Sequence, residues 1–202
     1  MTGEMNDCRA AKASMNFIAE HIKKVASKLD INSVSDLVDN IMGAKKIFLM
    51  GAGRSGLASR AFAMRLMHMG FQVHVVGETT APAVQPEDLV IAVSGSGETT
   101  SITNLGAIAK KIGSKLATIT SNKDSSLGII SDVVVIIPGR PREELDYDDY
   151  QERRMIGYPQ LAPLGTVFEI SALVFLDSVI SELMVRTGAS ETELKMQHAV
   201  FE

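Results

Sequence analysis

Apolar and polar positions follow two rhythms along this chain, and the switches between them mark its elements. From Cys8 to Lys28, apolar residues recur at Ala11, Met15, Ile18, Ile22 and Val25, with Leu29 just beyond. Spacings of three and four predict an amphipathic helix. Ser33 with Asp36 has the spacing of a capping box in its acidic variant, which predicts a second helix opening there and ending at Gly43. The rhythm then changes. Lys46–Met50, Phe71–Val76, Leu89–Val93, Leu116–Thr120 and Val133–Ile137 are short runs rich in apolar and β-branched residues, as strands buried on both faces read. Between them the spacing is that of helices or turns. The helix running to Met69 is apolar nearly all round, through Ala61, Phe62, Met64, Leu66 and Met67, which predicts burial between layers. Strands alternating with helices predict a parallel sheet covered on both faces, with any ligand beyond the carboxyl ends of the strands.

From Pro138 to Pro159 periodicity lapses. This stretch is charged, holds all three tyrosines (Tyr147, Tyr150, Tyr158), and reads either as a long lid or as a solvated excursion without function. An apolar helix resumes over Thr166–Val185, and a polar tail follows from Gly188 to His198 and beyond. The predicted organisation is a single domain over 1–202: N-terminal helices over 7–43, an α/β core over 44–138, an acidic loop over 139–160, and a C-terminal helix and tail over 161–202.

Composition narrows the classes of partner. At 202 residues one domain suffices and can bury a sizeable core. A net charge of −4 with mixed signs advertises neither nucleic acid nor an anionic membrane, so an anionic ligand has to be attracted locally. The single cysteine, Cys8, excludes an internal disulfide and a cysteine zinc cluster and fits a reducing compartment. The opening MTGEMNDCRA lacks the apolar core of a signal peptide. Glu169, Asp177 and Glu182 interrupt Thr166–Val185, which therefore reads as a buried helix and not a membrane span. The expectation is a soluble, cytoplasmic protein.

The candidate chemistry lies after two of the strands. Leu89–Ser101 reads LVIAVSGSGETTS: a buried strand, then a glycine-punctuated turn rich in hydroxyls, then a helix start. Glycines let backbone amides approach a ligand, and the first amides of a helix lack partners and favour negative charge. Ser94, Ser96, Thr99, Thr100 and Ser101 add neutral donors without a lysine, which suits a phosphate monoester; the alternative is a serine-rich capping turn. The first strand is followed by Gly51-Ala52-Gly53-Arg54-Ser55-Gly56, a formal GxGxxG, with Glu78 past the second strand. That is the dinucleotide fingerprint. Against it stand the second hydroxyl-rich loop, which a dinucleotide leaves unexplained, and the lack of a further domain for a reducible substrate.

Glu169 carries two readings. On a helix it shares a face with Leu173, Leu176 and Ile180, an apolar setting that suits a carboxylate abstracting a proton. Thr166 and Glu169 also satisfy T-x-x-E, so the carboxylate could instead complete a capping box. Of the four histidines, His68 suits a helix C-terminus, His21 and His74 read as structural, and His198 as a residue of the polar tail. No pair has the spacing of a metal site.

GAGRSG and SGSGETTS resemble the two substrate loops of the sugar isomerase (SIS) domain family. FAMRLMHMGF, VGETTAP and PLGTVFEISALVFLD, with a histidine near the C-terminus, narrow the resemblance to the branch acting on 3-hexulose 6-phosphate. The resemblance implies an α/β fold: a flavodoxin-like three-layer α-β-α sandwich with a five-stranded parallel sheet, assembled as a homotetramer. It implies interconversion of 3-hexulose 6-phosphate and fructose 6-phosphate through a cis-enediolate, with no metal or nucleotide cofactor. This step belongs to the ribulose monophosphate pathway, beside 3-hexulose-6-phosphate synthase, either fixing formaldehyde or supplying pentose phosphate. Carried onto this chain, Gly53, Arg54, Ser55, Ser94, Gly95, Ser96, Gly97 and Thr99 bind the substrate, Glu169 is the base, and His198 of a neighbouring subunit assists. The chain departs from the family's pattern in a longer acidic insertion around Arg142–Arg153. Two other expectations stay open: an SIS isomerase of arabinose 5-phosphate or a heptose phosphate, and a sugar-phosphate sensor without turnover.

Overall fold

Five apolar runs become five parallel strands because each strand has an apolar neighbour above and below. A computed structural model describes residues 9–139, 162 and 165–196. The acidic loop beyond Gly139 and the histidine at 198 lie outside the described residues. The strands are β1 (Ile47–Gly51), β2 (Val73–Val75), β3 (Leu89–Val93), β4 (Lys115–Thr120) and β5 (Val133–Ile136), in the order β2-β1-β3-β4-β5. Every pairing is parallel, with Ile47 opposite Val73 on one side and Leu89 on the other. Alternate residues serve opposite faces. Ile47, Leu49, Leu89, Ile91 and Val93 join a core with α1 (Arg9–Lys28), α2 (Ile31–Gly43), α3 (Gly53–His68) and α6 (Thr166–Thr187). Phe48, Met50, Val90 and Ala92 join a second core with α4 (Thr100–Ile112) and α5 (Ser126–Ile130). This is the three-layer α-β-α sandwich. A short helix, α7 (Glu191–Met196), occupies part of what the sequence reads as a polar tail.

Three local expectations need correction. The second helix opens at Ile31, not at Ser33. Asp30 is its cap, its carboxylate accepting from the Asn32 and Ser33 amides at 3.2 and 3.3 Å, while Ser33 Oγ donates to the Asp30 carbonyl. The second strand is shorter than Phe71–Val76, three half-buried residues at the sheet edge, with the His74 ring 5.3 Å from that of Phe48. Nor is α3 buried all round: Leu57, Met64 and Met67 are 66, 42 and 43 % exposed. The helix lies in the outer layer, so Ala58, Phe62 and Leu66 meet the core and the opposite side is left outward. Among the described residues no helix is long and apolar enough to cross a membrane. The apolar residues of α6 are used on the sheet and on α3 instead, with Val167, Phe168, Ala172, Leu176 and Leu183 all buried.

Candidate active site

Strand order reverses between β1 and β3, and the helices that follow them leave to opposite faces. A crevice opens at the carboxyl end of such a pair. The first loop is shaped by close approach. A Cβ on Gly51 would stand 2.9 Å from the Gly56 nitrogen, and one on Gly56 2.7 Å from the Gly51 carbonyl oxygen, while Gly53 has φ +56°. The GxGxxG spacing thus satisfies a tight strand–helix turn, a demand that does not depend on a dinucleotide. Glu78, the acidic residue that reading would place on a ribose, is ion-paired with Arg60 at 2.6 Å. Ser55 lies in the first turn of α3 and is nearly buried.

The second loop is folded on itself and tied to its neighbour. Ser94 Oγ accepts from the Gly97 amide at 3.2 Å and donates to Thr99 Oγ1 at 3.4 Å; Ser96 Oγ accepts from the Glu98 amide at 3.2 Å. The Gly95 carbonyl accepts from Ser121 Oγ at 2.6 Å, the Ser121 amide at 3.0 Å and Thr120 Oγ1 at 3.2 Å. Glu98 turns its carboxylate to the start of α5, accepting from Ser126 Oγ at 2.6 Å and the Ser126 amide at 2.8 Å. The hydroxyl first, then the amide, hold the Glu98 carboxyl below the usual carboxylate range. Thr120, Ser121, Ser125 and Ser126 join the site only in the folded chain, although TSNKDSS, from the end of the fourth strand onward, repeats the hydroxyl-rich character of Ser94–Ser101.

Glu169 does not complete a capping box. The cap of α6 is Gly165 with φ +88°, which makes Thr166 the first helical residue and leaves Glu169 one position beyond the reach of a box. Its amide donates to the Gly165 carbonyl at 3.0 Å, and its carboxylate accepts from Arg54 Nε across the crevice. A Cβ at Gly165 would come within 3.1 Å of Glu169 Oε1, so the carboxylate folds back over the start of its own helix. Its side chain is 19 % exposed. Leu176 and Ile180 below it are buried as expected, but Leu173 is 36 % exposed. Phe168 packs on the second loop: a Cβ on Gly95 would meet its ring at 2.9 Å.

These contacts bring the starts of α3, α4 and α6 to one crevice. Among the described residues none of the three has a side-chain cap, whereas α2 is capped by Asp30 and α5 by Ser125. Uncapped amides with aligned dipoles make the crevice receptive to an anion, with neutral hydroxyls as further donors. Arg54, between Gly53 and Ser55 at the start of α3, pairs with Glu169, and Ser94, Gly95, Ser96, Gly97 and Thr99 form the loop on which Phe168 packs. Among the described residues no group of three or more histidine, cysteine, aspartate or glutamate side chains could hold a metal ion.

The Glu98 tie carries a prediction. Its folded-state carboxyl is lowered, so the tie is complete above the ordinary carboxylate range and is lost as pH falls through the lowered value. Glu98→Gln should keep the fold and raise KM for a sugar phosphate at neutral pH. The parent's KM should also climb in acid relative to that of the variant. Superimposable KM–pH profiles would show that the tie does not position the loop.

The fold and site define a class. The chain belongs to the SIS domain family, whose model matches residues 40–146. It is 37 % identical over 189 residues to the 3-hexulose-6-phosphate isomerase of Bacillus subtilis, covering 92 % of this chain and 97 % of that one. An uncharacterized protein of Archaeoglobus fulgidus is 44 % identical over 188 residues, covering 93 % and 98 %. Among solved structures, a Methanococcus jannaschii protein inferred to be a 3-hexulose-6-phosphate isomerase superposes with a TM-score of 0.75 at 34 % identity, over 95 % of this chain and 98 % of that one.

Proposed function

We propose that this chain is a 3-hexulose-6-phosphate isomerase, interconverting 3-hexulose 6-phosphate and fructose 6-phosphate in the ribulose monophosphate pathway beside 3-hexulose-6-phosphate synthase. The observation that carries the reading is a carboxylate, Glu169, held at the rim of a crevice whose two loops and three open helix starts suit a phosphate monoester. The phosphate sits on Ser55, Ser94, Ser96 and Thr99 with amides near Gly95 and Gly97. Its binding energy orients the distant reacting carbons.

The substrate has a ketone at C3 and a hydroxyl at C2. Glu169 takes the proton from C2, the C–H pair becomes the C2–C3 double bond, and the carbonyl pair moves to O3. Protonated Glu169 then delivers the proton to C3, while the hydroxyl proton passes from O2 to O3. The product is fructose 6-phosphate, and no co-reactant is consumed. One carboxylate suffices because both carbons lie on the same face of a cis-enediolate. His198, contributed by a neighbouring copy in a homo-oligomer, assists at a hydroxyl or in ring opening. The outward apolar side chains of Leu57 and Met64 on α3 and of Leu173 and Val174 on α6 support association between copies.

The test is a coupled assay in which ribulose 5-phosphate, formaldehyde and the synthase supply the hexulose phosphate. Fructose 6-phosphate should form only when this chain is added. Turnover of arabinose 5-phosphate or a heptose phosphate in its place would move the assignment to another SIS isomerase. Thermal stabilisation by a sugar phosphate without turnover of any would make the chain a sensor.

A further inference from the structure

Arginines in this structure use their nitrogens differently. Arg186 commits all three, Nε to Glu182 at 2.9 Å, Nη1 to Asp39 at 2.6 Å and Nη2 to Ser35 at 3.0 Å. Arg54 commits one. Its Nε donates to Glu169, its two amino groups donate to no described residue, and its side chain is 60 % exposed at the start of α3. Arg54 is also the only cation in the GAGRSG and SGSGETTS loops; the other charge there, Glu98, is negative and engaged with Ser126. An isomerisation through an enediolate generates a second negative charge close to a phosphate already bound. Neutral hydroxyls and helix starts serve the phosphate, and the nascent oxyanion still needs a donor of its own.

We infer that Arg54 supplies it, and that between turnovers the same guanidinium holds the base in position; this rests on the isomerase reading above. The free edge formed by Nη1 and Nη2 can bridge two neighbouring oxygens, as guanidinium groups do in gripping the paired oxygens of a carboxylate. A cis-enediolate presents that pair as O2 and O3. When Glu169 removes the C2 proton, the charge appears on O3, and when it returns the proton to C3 the hydroxyl proton leaves O2. A guanidinium bridging both oxygens therefore stabilises each half of the reaction without moving. A single residue sets the distance between the base and the charge it creates.

The experiment measures kcat and KM for Arg54→Gln and Arg54→Lys beside the parent and Glu169→Gln, together with exchange of substrate hydrogen for solvent deuterium. Arg54→Gln should lower kcat about 10²–10³-fold, the usual loss when one oxyanion donor is removed, with a much smaller change in KM. Solvent exchange should fall in step with kcat. Arg54→Lys should recover part of kcat through its charge and lack the rest for want of a fork, and guanidinium ion should partly restore Arg54→Ala. An Arg54→Gln enzyme with parental kcat overturns the inference, and a raised KM at unchanged kcat makes Arg54 a phosphate anchor only. If Arg54→Gln does not fold, the lysine variant and the guanidinium rescue decide in the same terms. A parent inactive on 3-hexulose 6-phosphate would instead overturn the isomerase reading itself, so the two failures are distinguishable.

Discussion

Glu169→Gln should remove isomerisation by on the order of 10³-fold or more while leaving the fold and substrate binding in place. Glutamine keeps the length and shape of the side chain, and its carbonyl oxygen can still accept from Arg54 Nε. Arg54 is mostly exposed, so solvent screens the ion pair, and the stability loss should be about 1 kcal/mol or less. What glutamine cannot do at neutral pH is take a proton from carbon. Turnover should therefore collapse, fructose 6-phosphate should still bind in a titration, and the solvent-deuterium exchange expected of the parent should be absent. A variant that retains most of its turnover would remove Glu169 as the base. Glu98 would then be a poor substitute, since its carboxylate is committed to Ser126, and Glu78 is paired with Arg60.

Gly97→Ala should be strongly destabilising, because among the described glycines its added methyl makes the shortest contact. Gly97 has φ +67°, and a Cβ there would stand 2.0 Å from Ser125 Oγ and 2.5 Å from Ser125 Cβ. Ser125 is fully buried and cannot swing aside cheaply. Its Oγ accepts from the Gly128 amide at 3.2 Å to cap α5 and donates to the Asn122 carbonyl at 2.7 Å. The alanine thus adds a left-handed backbone penalty to the loss of a helix cap, together about 2–4 kcal/mol. It also pushes the Ser94–Thr99 loop off β4 and α5, so if that loop binds phosphate as proposed, affinity for inorganic phosphate and for fructose 6-phosphate should fall with stability. Gly53→Ala is the control. Its φ is also positive, at +56°, but nothing lies within 4 Å of the added carbon, so only the backbone penalty of about 1–2 kcal/mol applies. Chemical denaturation of both variants measures the difference. Equal losses would show that contact with Ser125 is not what holds the loop.

The elements were legible where their causes are local. A strand buried on both faces must be apolar at every position, and Leu89–Val93 says so without help from the rest of the chain. The helix starts were harder, because several side chains compete to cap one end. Asp30 reaches the first turn of α2 before Ser33 can, and Gly165 starts α6 one residue earlier than a T-x-x-E box requires. Likewise, the composition of α3 could not tell a helix between layers from an outer-layer helix with Leu57, Met64 and Met67 turned outward.

The sequence by itself determined the strands, the two glycine loops, the hydroxyls they carry and the presence of a carboxylate at Glu169. Each of these follows from a demand on a few consecutive residues: burial, a positive φ, or close backbone approach. Only the tertiary structure decided what Glu169 touches. T-x-x-E is equally compatible with a cap and with a free carboxylate, and the partner that distinguishes them, Arg54, lies 115 residues away. Likewise Phe168 finds Gly95, and Glu98 finds Ser126, only after β1, β3 and β4 lie side by side. The site is a meeting of helix starts from distant segments. Its charge balance depends on distances across the crevice, and no local pattern along the chain encodes those.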